Sequence, residues 1–465
     1  MIKITCAAIA FSLFIFHAAP SSAQALTLKE ALNKGLANYG TILAKQNYAS
    51  ASKASVEQSR RDYLPNLVLS AQQDYGTVNG QNGPLYGYGG YGVASSGLPL
   101  PTQNWNAGFG ALYLANVNWD FFTFGRIRER IKVAKTAAER DQNDLLQEQF
   151  QHQVRVASAY LNLLAAQRIM LSQQKNLDRS IVLKNNTAVR AKNGLVPGVD
   201  SSLAAAEVSN ARISLTKARD VAQEQANRLG LLIGETATDF VLDTAFITRI
   251  PANILGASGT SSQTPNPVLT FYKSRVDVAN EQMRYYQRQY FPTLSLFGVV
   301  QERGSGFKST YTVDQHNYTS DYATGVNPVR GNYLIGLGAT WNLTSIPRNS
   351  AQVRSQRFLT KGLQNEYDLV DQQVKAQQAL SETKINNALD NYSEAPMQVK
   401  AATEAYTQKT TMYKNGLTTL VDVTTTLYTL NRAETDRDIA FTNVWQAFLL
   451  KAAAVGDITL FTNEL

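Results

Sequence analysis

Two aspartates, Asp200 and Asp422, stand in nearly the same nine-residue context. Residues 192–200 read KNGLVPGVD and residues 414–422 read KNGLTTLVD, so six positions agree at an offset of 222. The glycine of each phrase can adopt the left-handed conformation that ends a helix, and a carboxylate is favoured at the start of the next one. The phrase predicts the tip of a helical hairpin. It leaves open whether the tip only caps helices or also contacts a partner.

Other residues with catalytic potential form no consistent site. His17 lies near the N-terminus, His152 in a predicted long helix and His316 in a polar loop. The glycines of residues 87–92 belong to a tyrosine-rich loop and lack the lysine of a phosphate-binding loop. The acidic residues around Asp141 lie among arginine and glutamine on a predicted helix surface. We expect no enzyme activity, no cofactor and no metal site.

The N-terminal segment predicts export. Lys3, an apolar run ending near Phe16 and small residues up to Ala23 are typical of a secretory signal peptide, assigned to residues 1–23. Cys6 is the only cysteine and leaves with this segment, so the mature chain has no disulfide. Its position at the wrong end of the apolar run predicts no lipid anchor. The net charge of +8 is spread among acidic residues along helices, which indicates solvated helix faces and no nucleic-acid partner.

The repeated phrase belongs to an internal duplication. Trp119 and Trp341 correspond at the same offset of 222, and Pro65 corresponds to Pro292 at 227. The five extra residues fall in an intervening loop, where insertions are tolerated. Constant spacing of separated landmarks predicts a first structural repeat at 24–265 and a second, with a C-terminal tail, at 266–465.

Each repeat has the same predicted order of elements. Each repeat begins with a helix that is ended by a proline. After it come a strand, a loop rich in glycine and tyrosine and a second strand. A very long helix, the repeated phrase and a returning helix complete the repeat. The predicted first helices are Leu28 to about Arg61 and Val268 to about Gln289, the first strands Asn66–Ala71 and Thr293–Val300, and the long helices about 125–190 and 347–412.

The second strand of each repeat has an apolar and a polar face. Apolar side chains alternate with polar or small ones from Gly108 to Phe121, and again from Tyr333 to Leu343. A soluble β-sandwich gives the same period-two pattern. The aromatic cluster Trp119, Phe121 and Phe122 favours a membrane interface instead, because aromatic girdles mark the edges of membrane strands. No segment of the mature sequence is long and apolar enough to be a membrane helix.

The long helices must pack along their length on other helices. About 65 residues at ~1.5 Å per residue span roughly 100 Å, which is wider than a globular core. The returning helix carries apolar residues spaced by three or four, as in a coiled coil. These are Ala204, Val208, Ala211, Leu215, Ala218, Ala222, Ala226, Leu229 and Ile233. In the second repeat Arg437 and Lys451 replace Leu215 and Leu229, so that seam is less regular.

Four strands are too few to close a membrane barrel by themselves. The smallest such barrels have ~8 strands, and an open sheet would leave unsatisfied edge groups in lipid. If the strands enter a membrane, several copies must pool them; two copies give eight strands and three give twelve. Strand number alone leaves that choice open.

The motifs together resemble the TolC family of outer-membrane channels, which serve tripartite efflux pumps and type I secretion systems. The resemblance rests on the signal peptide, LTLKEAL, YLP, NWDFFTFGR, both NGL-to-Asp turns, GLTTLVDV and LKAAAVGDI, and it covers essentially the whole mature chain. It implies a homotrimer with a periplasmic α-helical barrel continuous with a 12-stranded outer-membrane β-barrel. Residues of about 235–265 and the C-terminal tail would form a belt around the helices.

The resemblance also implies roles for particular residues. Asp422 matches a family aspartate that surrounds the periplasmic aperture, Thr425 replaces a second aspartate found in some members, and Asp200 is the equivalent of Asp422 in the first repeat. Contact with a periplasmic adaptor is expected at Asn193, Gly194, Leu195, Asn415, Gly416 and Leu417. The aromatic residues expected at the membrane interface are Trp119, Phe121, Phe122 and Trp341.

The expected function is export of drugs, small molecules or secreted polypeptides. The substrate would pass from an inner-membrane transporter and its adaptor through the outer membrane; the resemblance leaves the transporter class open. The alternative is a periplasmic adaptor, which also presents a long helical hairpin. Adaptors carry one hairpin flanked by small β domains, whereas this chain has two hairpins and paired amphipathic strands.

Overall fold

The computed structural model describes residues 25–80, 98–236, 239–244, 246, 249–251, 254 and 265–464. The predicted signal peptide and residues 87–92 lie outside this range. The chain folds into two compact units. The first comprises residues 1–47, 142–271 and 367–465, and the second comprises residues 48–141 and 272–366.

Helices and four strands follow one another in the order that the sequence predicts. The first half contains α1 (Leu28–Asn38), α2 (Gly40–Arg61), β1 (Asn66–Thr77), β2 (Ala107–Phe122), α3 (Arg126–Lys192) and α4 (Gly198–Ile233). The second contains α5 (Pro267–Arg288), β3 (Thr293–Ser305), α6 (Tyr322–Val326), β4 (Arg330–Thr340), α7 (Ser345–Lys414), α8 (Leu420–Val455) and α9 (Thr459–Thr462). The predicted class, mainly helical with four strands per chain, is confirmed.

The first predicted helix is wrong in one respect, because it is broken at Tyr39. This residue has extended backbone angles, φ −73° and ψ 116°, between α1 and α2. Its ring stacks on the buried His152 of α3 with 3.9 Å between ring centroids. His152 in turn meets the carbonyl oxygen of Leu232 at 3.0 Å. Asn38 and Gly40, which flank Tyr39, are residues typical of helix ends, so the sequence itself marks this break.

The four strands form one antiparallel sheet in the order β1–β2–β3–β4. The first strand of each repeat is longer than predicted, because the polar residues 72–77 and 301–305 still pair through their backbones. β4 is shifted toward the N-terminus by three residues. It begins at Arg330 instead of Tyr333 and ends at Thr340 instead of Leu343. β1 and β4 are the two edges of this sheet.

The sheet has one apolar face. Directly paired residues share a face, so the row Leu67, Val117, Gly298 and Ile335 lies on one side of all four strands. The row Leu69, Ala115, Val300 and Tyr333 lies on the same side. Within the single chain Tyr333 is 81% exposed. Around these two rows this side of the sheet therefore presents an apolar surface that the chain itself does not cover. Nearer the start of β2 the short helix α6 packs on the same side, with 5.2 Å between the ring centroids of Phe109 and Tyr322.

The long helices pack as the spacing predicts. α3 has 67 residues and α7 has 70, and Pro396 lies within α7 without ending it. All nine predicted seam residues of α4 are buried. Lys451 of α8 is also buried, so the less regular seam of the second repeat is a real feature of the structure.

A large apolar core lies in the first unit. It brings together α1, α3, α4, α7, α8, α9 and the described part of residues 235–265. Trp445 is its largest fully buried side chain, and its indole nitrogen donates to the carbonyl oxygen of Arg249 at 3.1 Å. This core holds the C-terminal parts of α4 and α8 against the middle of α3 and α7. The turns that join α3 to α4 and α7 to α8 are the tips described next.

Candidate functional site

The tip of the first hairpin, here tip 1, is made by a complete helix-stop motif. Gly194 has φ +69°. Its amide donates to the carbonyl oxygen of Ala191 at 3.1 Å, and the amide of Leu195 donates to that of Arg190 at 2.9 Å. These two bonds satisfy carbonyl groups that the end of α3 would otherwise leave free. The predicted left-handed cap is therefore present.

Tip 2, at the end of α7, repeats the motif. Gly416 has φ +76°, and its amide donates to Tyr413 O at 3.1 Å. The amide of Leu417 donates to Met412 O at 2.9 Å. No atom lies within 4 Å of a Cβ built on Gly194 or Gly416, so both positions need glycine for its backbone conformation and not for space.

Both tips present polar and aliphatic side chains to solvent. Leu195 is 66% and Leu417 70% exposed, and Asn193 and Asn415 are exposed beside them. Large apolar side chains at such exposure are available to a partner. The structure thus places all six predicted tip residues on the surface, three at each tip.

The carboxylate of Asp422 is bound at the start of its own helix. Thr419 is the N-cap of α8, and the Thr419 hydroxyl and the Asp422 backbone amide lie 3.3 Å apart in a capping box. The carboxylate accepts from the hydroxyl of Thr418 at 2.5 Å and from the backbone amide of Thr419 at 3.3 Å. These bonds, the Thr418 bond first, hold the pKa of Asp422 below its usual value.

The carboxylate of Asp200 reaches the other hairpin. The helix α4 starts after Pro197, which provides no side-chain cap. Asp200 instead accepts a hydrogen bond from the hydroxyl of Tyr413 at 3.2 Å. Tyr413 is 4% exposed and packs with Leu183 and Leu420. Burial raises the pKa of the Tyr413 hydroxyl, and the nearby carboxylate adds to that shift.

An arginine of α3 completes this cluster. The guanidinium of Arg190 lies 5.4 Å from the ring centroid of Tyr413 and donates to the carbonyl oxygen of Lys414 at 2.5 Å. Tyr413, Asp200 and Arg190, here the tip tether, therefore join the end of α7 to both helices of the first hairpin. A buried hydroxyl paired with a carboxylate is costly to break, because the acceptor then loses a partner.

Two further links join the hairpins away from the tips. Tyr428 of α8 donates to Glu207 of α4 at 2.5 Å, and this bond raises the pKa of Tyr428. Arg179 of α3 makes a two-bond ion pair with Glu434 of α8, at 2.6 and 3.0 Å. The hairpins of one chain are thus tied together by charged and hydroxyl groups.

Thr425 plays no part in these links. Its side chain is exposed, and its hydroxyl donates to the carbonyl oxygen of Val421 in the preceding turn at 2.9 Å. The structure puts Thr425 one turn beyond Asp422 on α8. The aperture roles predicted for Asp422, Asp200 and Thr425 stay predictions.

The predicted interface aromatics lie at one end of the sheet. The indole nitrogen of Trp119 donates to the carbonyl oxygen of Tyr63 at 2.9 Å, and that of Trp341 donates to Tyr290 O at 3.0 Å. Phe121 lies 6.2 Å from Trp119 between ring centroids. Trp341 and Phe122 are exposed. An indole anchored by its polar atom with an apolar body exposed is suited to the boundary of a bilayer.

No group of three histidine, cysteine, aspartate or glutamate side chains is placed to hold a metal ion within the described residues. No described helix is long and apolar enough to cross a membrane.

Comparison with known sequences decides the family. Residues 31–235 and 262–444 match the outer membrane efflux protein family, which is most of the chain. The chain belongs to the outer membrane efflux protein family. Members of this family are outer-membrane channels and not enzymes, so this family member has a channel role in efflux. No curated protein matched the sequence.

Solved structures of outer-membrane proteins share the fold. The outer membrane protein VceC of Vibrio cholerae aligns with a TM-score of 0.72 at 16% identity, over 92% of this chain and 96% of that one. The CmeC outer membrane channel of Campylobacter jejuni gives 0.72 at 13% identity over 98% and 94%. CusC, described in connection with transmembrane channel formation, gives 0.74 at 13% identity over 92% of each chain. At such identities the likeness concerns the fold.

The tip tether and the two further links between the hairpins are not predicted from the sequence. Tyr413 directly precedes the KNGL phrase of the second repeat, whereas Ala191 stands at the equivalent place in the first. That difference between the repeats is the signal that points to Tyr413. Nothing local identifies Asp200 as its acceptor, because the two residues meet only when the hairpins pack.

Proposed function

We propose that three copies of this chain form an export channel across the periplasm and the outer membrane. Twelve strands would close the β-barrel and the long helices would form the tunnel below it. The observation that carries this proposal is the uncovered apolar part of the sheet around the rows of Leu67 and Leu69, which lies next to Trp119 and Trp341. Such a face is stable in lipid only when every strand edge is paired, and one chain leaves two edges open.

The two faces of the sheet suit the two sides of such a barrel. Rows such as Asn66–Asn118 and Gln72–Leu112–Arg303–Arg330 lie opposite the apolar rows and carry amide and guanidinium groups. In outer-membrane barrels the apolar face contacts lipid and the polar face lines the interior. Drugs, other small molecules or secreted polypeptides would pass along the polar face. The signal peptide at 1–23 would direct export, and the mature chain would carry no lipid anchor.

The two tips would be the entry end and the docking surface. A periplasmic adaptor and an inner-membrane transporter would contact Asn193, Gly194, Leu195, Asn415, Gly416 and Leu417. The exposed leucines support this assignment, because burying apolar surface against a partner stabilises the complex by about 25 cal/mol per Å². Rigid helix stops hold these leucines in place, which lowers the entropy cost of binding.

The aperture would be closed at rest by the same segment. Asp422, together with Asp200 and Thr425, would surround the axis once per copy, where three carboxylates repel and favour a bound cation. The tip tether would hold the two hairpins of a copy together in this state. Opening would then require Tyr413 and Asp200 to separate.

Single-channel recording in planar bilayers tests the aperture. With Asp422→Ala we expect a larger resting conductance and weaker block by divalent cations, since the carboxylates that attract the ions are gone. Asp436→Ala, an exposed carboxylate higher on the same helix, is the matched control and should leave both unchanged. Unchanged conductance and unchanged block in Asp422→Ala would contradict the aperture role.

Crosslinking tests the docking surface and identifies the partner. Cysteines placed at Leu195 and Leu417 should capture an adaptor or a transporter in intact cells. A cysteine at exposed Leu359 of α7, outside the tips, should not capture the same proteins. Recovery of the chain without detergent as a soluble monomer would overturn the whole proposal.

A further inference from the structure

The outer strands of the sheet have open backbone edges. β2 and β3 are paired on both sides, whereas β1 and β4 each have one neighbour. Unpaired amide and carbonyl groups at an edge are a template for another strand. Under the proposed function, on which this inference rests, the missing neighbour is a second copy of the chain. The open question is the register in which β4 of one copy meets β1 of the next.

The duplication is visible in side-chain geometry as well as in sequence. Trp119 and Trp341 are 222 residues apart, and each donates its indole hydrogen to a tyrosine carbonyl oxygen. The acceptors, Tyr63 and Tyr290, are 227 residues apart. These are the same two offsets that relate the sequence repeats. Adding 222 to the number of a β2 residue therefore gives its equivalent in β4. Adding 227 to the number of a β1 residue gives its equivalent in β3.

The strand pairing inside each repeat obeys these offsets. In the first repeat Asn66 pairs with Asn118. Shifting the two residues by 227 and 222 gives Thr293 and Thr340, which are the observed partners in the second repeat. The register of a hairpin ladder is thus conserved between repeats. The observed pairing in the two repeats therefore agrees with the offsets that the sequence duplication predicts.

The β2–β3 ladder joins the first repeat to the second. The equivalent ladder one repeat later is β4–β1. It joins the second repeat of one copy to the first repeat of the next copy. Trp119 pairs with Leu296 in the observed ladder, and the equivalents of these two residues are Trp341 and Leu69. We propose that β4 pairs antiparallel with β1 of a second copy, with Trp341 opposite Leu69 and Thr340 opposite Ser70.

The proposed register agrees with the faces of the sheet. It sets Ala339 opposite Ala71 and Leu337 opposite Gln73, all on the side of the apolar rows. Thr340 and Ser70 both lie on the opposite side. A slip by one residue would place every side chain of one strand on the wrong face. Only slips by two residues compete with this register.

The early end of β4 follows from its missing neighbour. β2 continues to Phe122 and keeps pairing with β3 after an irregularity at residues 119–122. The equivalent of Phe122 is Thr344, yet β4 ends at Thr340. In the assembled protein residues 341–344 should join β4, with Thr344 opposite Leu67 of the second copy. The alternation of apolar residues up to Leu343 then belongs to a strand that one chain cannot complete.

Disulfide trapping on the full-length protein in outer membranes tests the register. Opposite residues in a ladder have Cα atoms ~4.5–5.5 Å apart, within disulfide range, whereas partners two residues away lie ~7–8 Å apart. Ser70→Cys with Thr340→Cys should give covalent dimers and trimers at least about five times more efficiently than Val68→Cys or Gln72→Cys combined with Thr340→Cys. The sole native cysteine, Cys6, lies in the predicted signal peptide, so the background is clean.

Two controls keep the outcomes distinct. Thr293→Cys with Thr340→Cys joins an observed pair within one chain and reports that the sheet has formed. If a shifted pair crosslinks best, copies do assemble through these edges but the proposed register is wrong. If the intrachain pair forms and no intermolecular pair does, and the protein runs as a monomer in detergent, the register and the proposed function both fail.

Discussion

The two hairpin tips share a sequence phrase but use their aspartates differently. At tip 2 the carboxylate of Asp422 folds back onto Thr418 and Thr419 at the start of its own helix. At tip 1 the carboxylate of Asp200 is bound by Tyr413 of the other hairpin. The helix stops before them are equivalent, with φ +69° at Gly194 and +76° at Gly416.

Three substitutions between the repeats account for this difference. Val196 stands where the second repeat has Thr418, whose hydroxyl makes the shortest bond to the carboxylate of Asp422. Pro197 stands where the second repeat has Thr419, so tip 1 has no hydroxyl to close a capping box. Ala191 stands where the second repeat has Tyr413. Tip 1 therefore has a carboxylate free of local partners, and tip 2 supplies the hydroxyl that binds it.

The comparison separates what a duplicated sequence preserves from what it changes. Backbone geometry is preserved, because the glycine and the residue after it fix the stop in either repeat. Side-chain partners have diverged. The carboxylate of tip 2 is bound by residues of tip 2, whereas the carboxylate of tip 1 is bound by a residue of tip 2. The Tyr413–Asp200 bond is therefore one of several links between the hairpins, and it is the one that the divergence of the two tips created.

The largest expected effect concerns the feature that both tips share. Gly194→Ala and Gly416→Ala should each destabilise the end of the preceding helix by about 1–2 kcal/mol, because a Cβ disfavours the left-handed conformation. Hydrogen exchange of residues 186–194 and 408–416 should accelerate to a similar extent in the two variants.

Gly362 provides the matched control for these two glycines. It lies within α7, a Cβ there meets no atom within 4 Å, and its φ is not positive. Gly362→Ala should stabilise the helix by about 0.5–1 kcal/mol. A stabilising effect at Gly194 or Gly416 would show that the two stops do not need a left-handed residue.

A smaller effect is expected from breaking the tip tether. Tyr413→Phe keeps the buried ring and removes the hydroxyl, at a cost of about 1 kcal/mol. Exchange should quicken in residues 197–204 of tip 1 and change little in residues 418–424 of tip 2. The resting conductance should rise. Tyr392→Phe is the control, since its hydroxyl has no hydrogen bond within the described part of the chain; equal changes at both tips would contradict the asymmetry.

The cap of tip 2 gives the next effect in size. Thr419→Ala removes the N-cap hydroxyl and should cost about 0.5–1 kcal/mol at the start of α8. Pro197→Ser adds a capping hydroxyl to tip 1, so Asp200 gains a local partner. In that background Tyr413→Phe should cost less than in the native protein. Additive effects of Pro197→Ser and Tyr413→Phe would show that the two partners do not compete for one carboxylate.

The sequence predicts what local chemistry determines. Both glycine stops, the apolar seam of α4 and the alternating strands come from short-range patterns, and the structure has them. The break at Tyr39 is missed although Asn38 and Gly40 flank it. The bond from Tyr413 to Asp200 is missed because the two residues are more than 100 positions apart in the chain. The end of β4 at Thr340 is missed because a turn follows it, in which the amide of Ser345 donates to the carbonyl oxygen of Asn342 at 3.2 Å.

The smallest expected effect is the pH dependence of the cap at tip 2. The pKa of Asp422 is held below its usual 3.8 by the bonds from Thr418 and Thr419. Its capping contribution is thus fully present above that value and is lost as the pH falls through the lowered pKa. After correction for intrinsic rates, exchange in residues 418–424 should quicken only below about pH 4, and Asp422→Asn should abolish this dependence. A transition centred above pH 5 would mean that the carboxylate is not bound as the capping box requires, and the contrast with Asp200 would lose its basis.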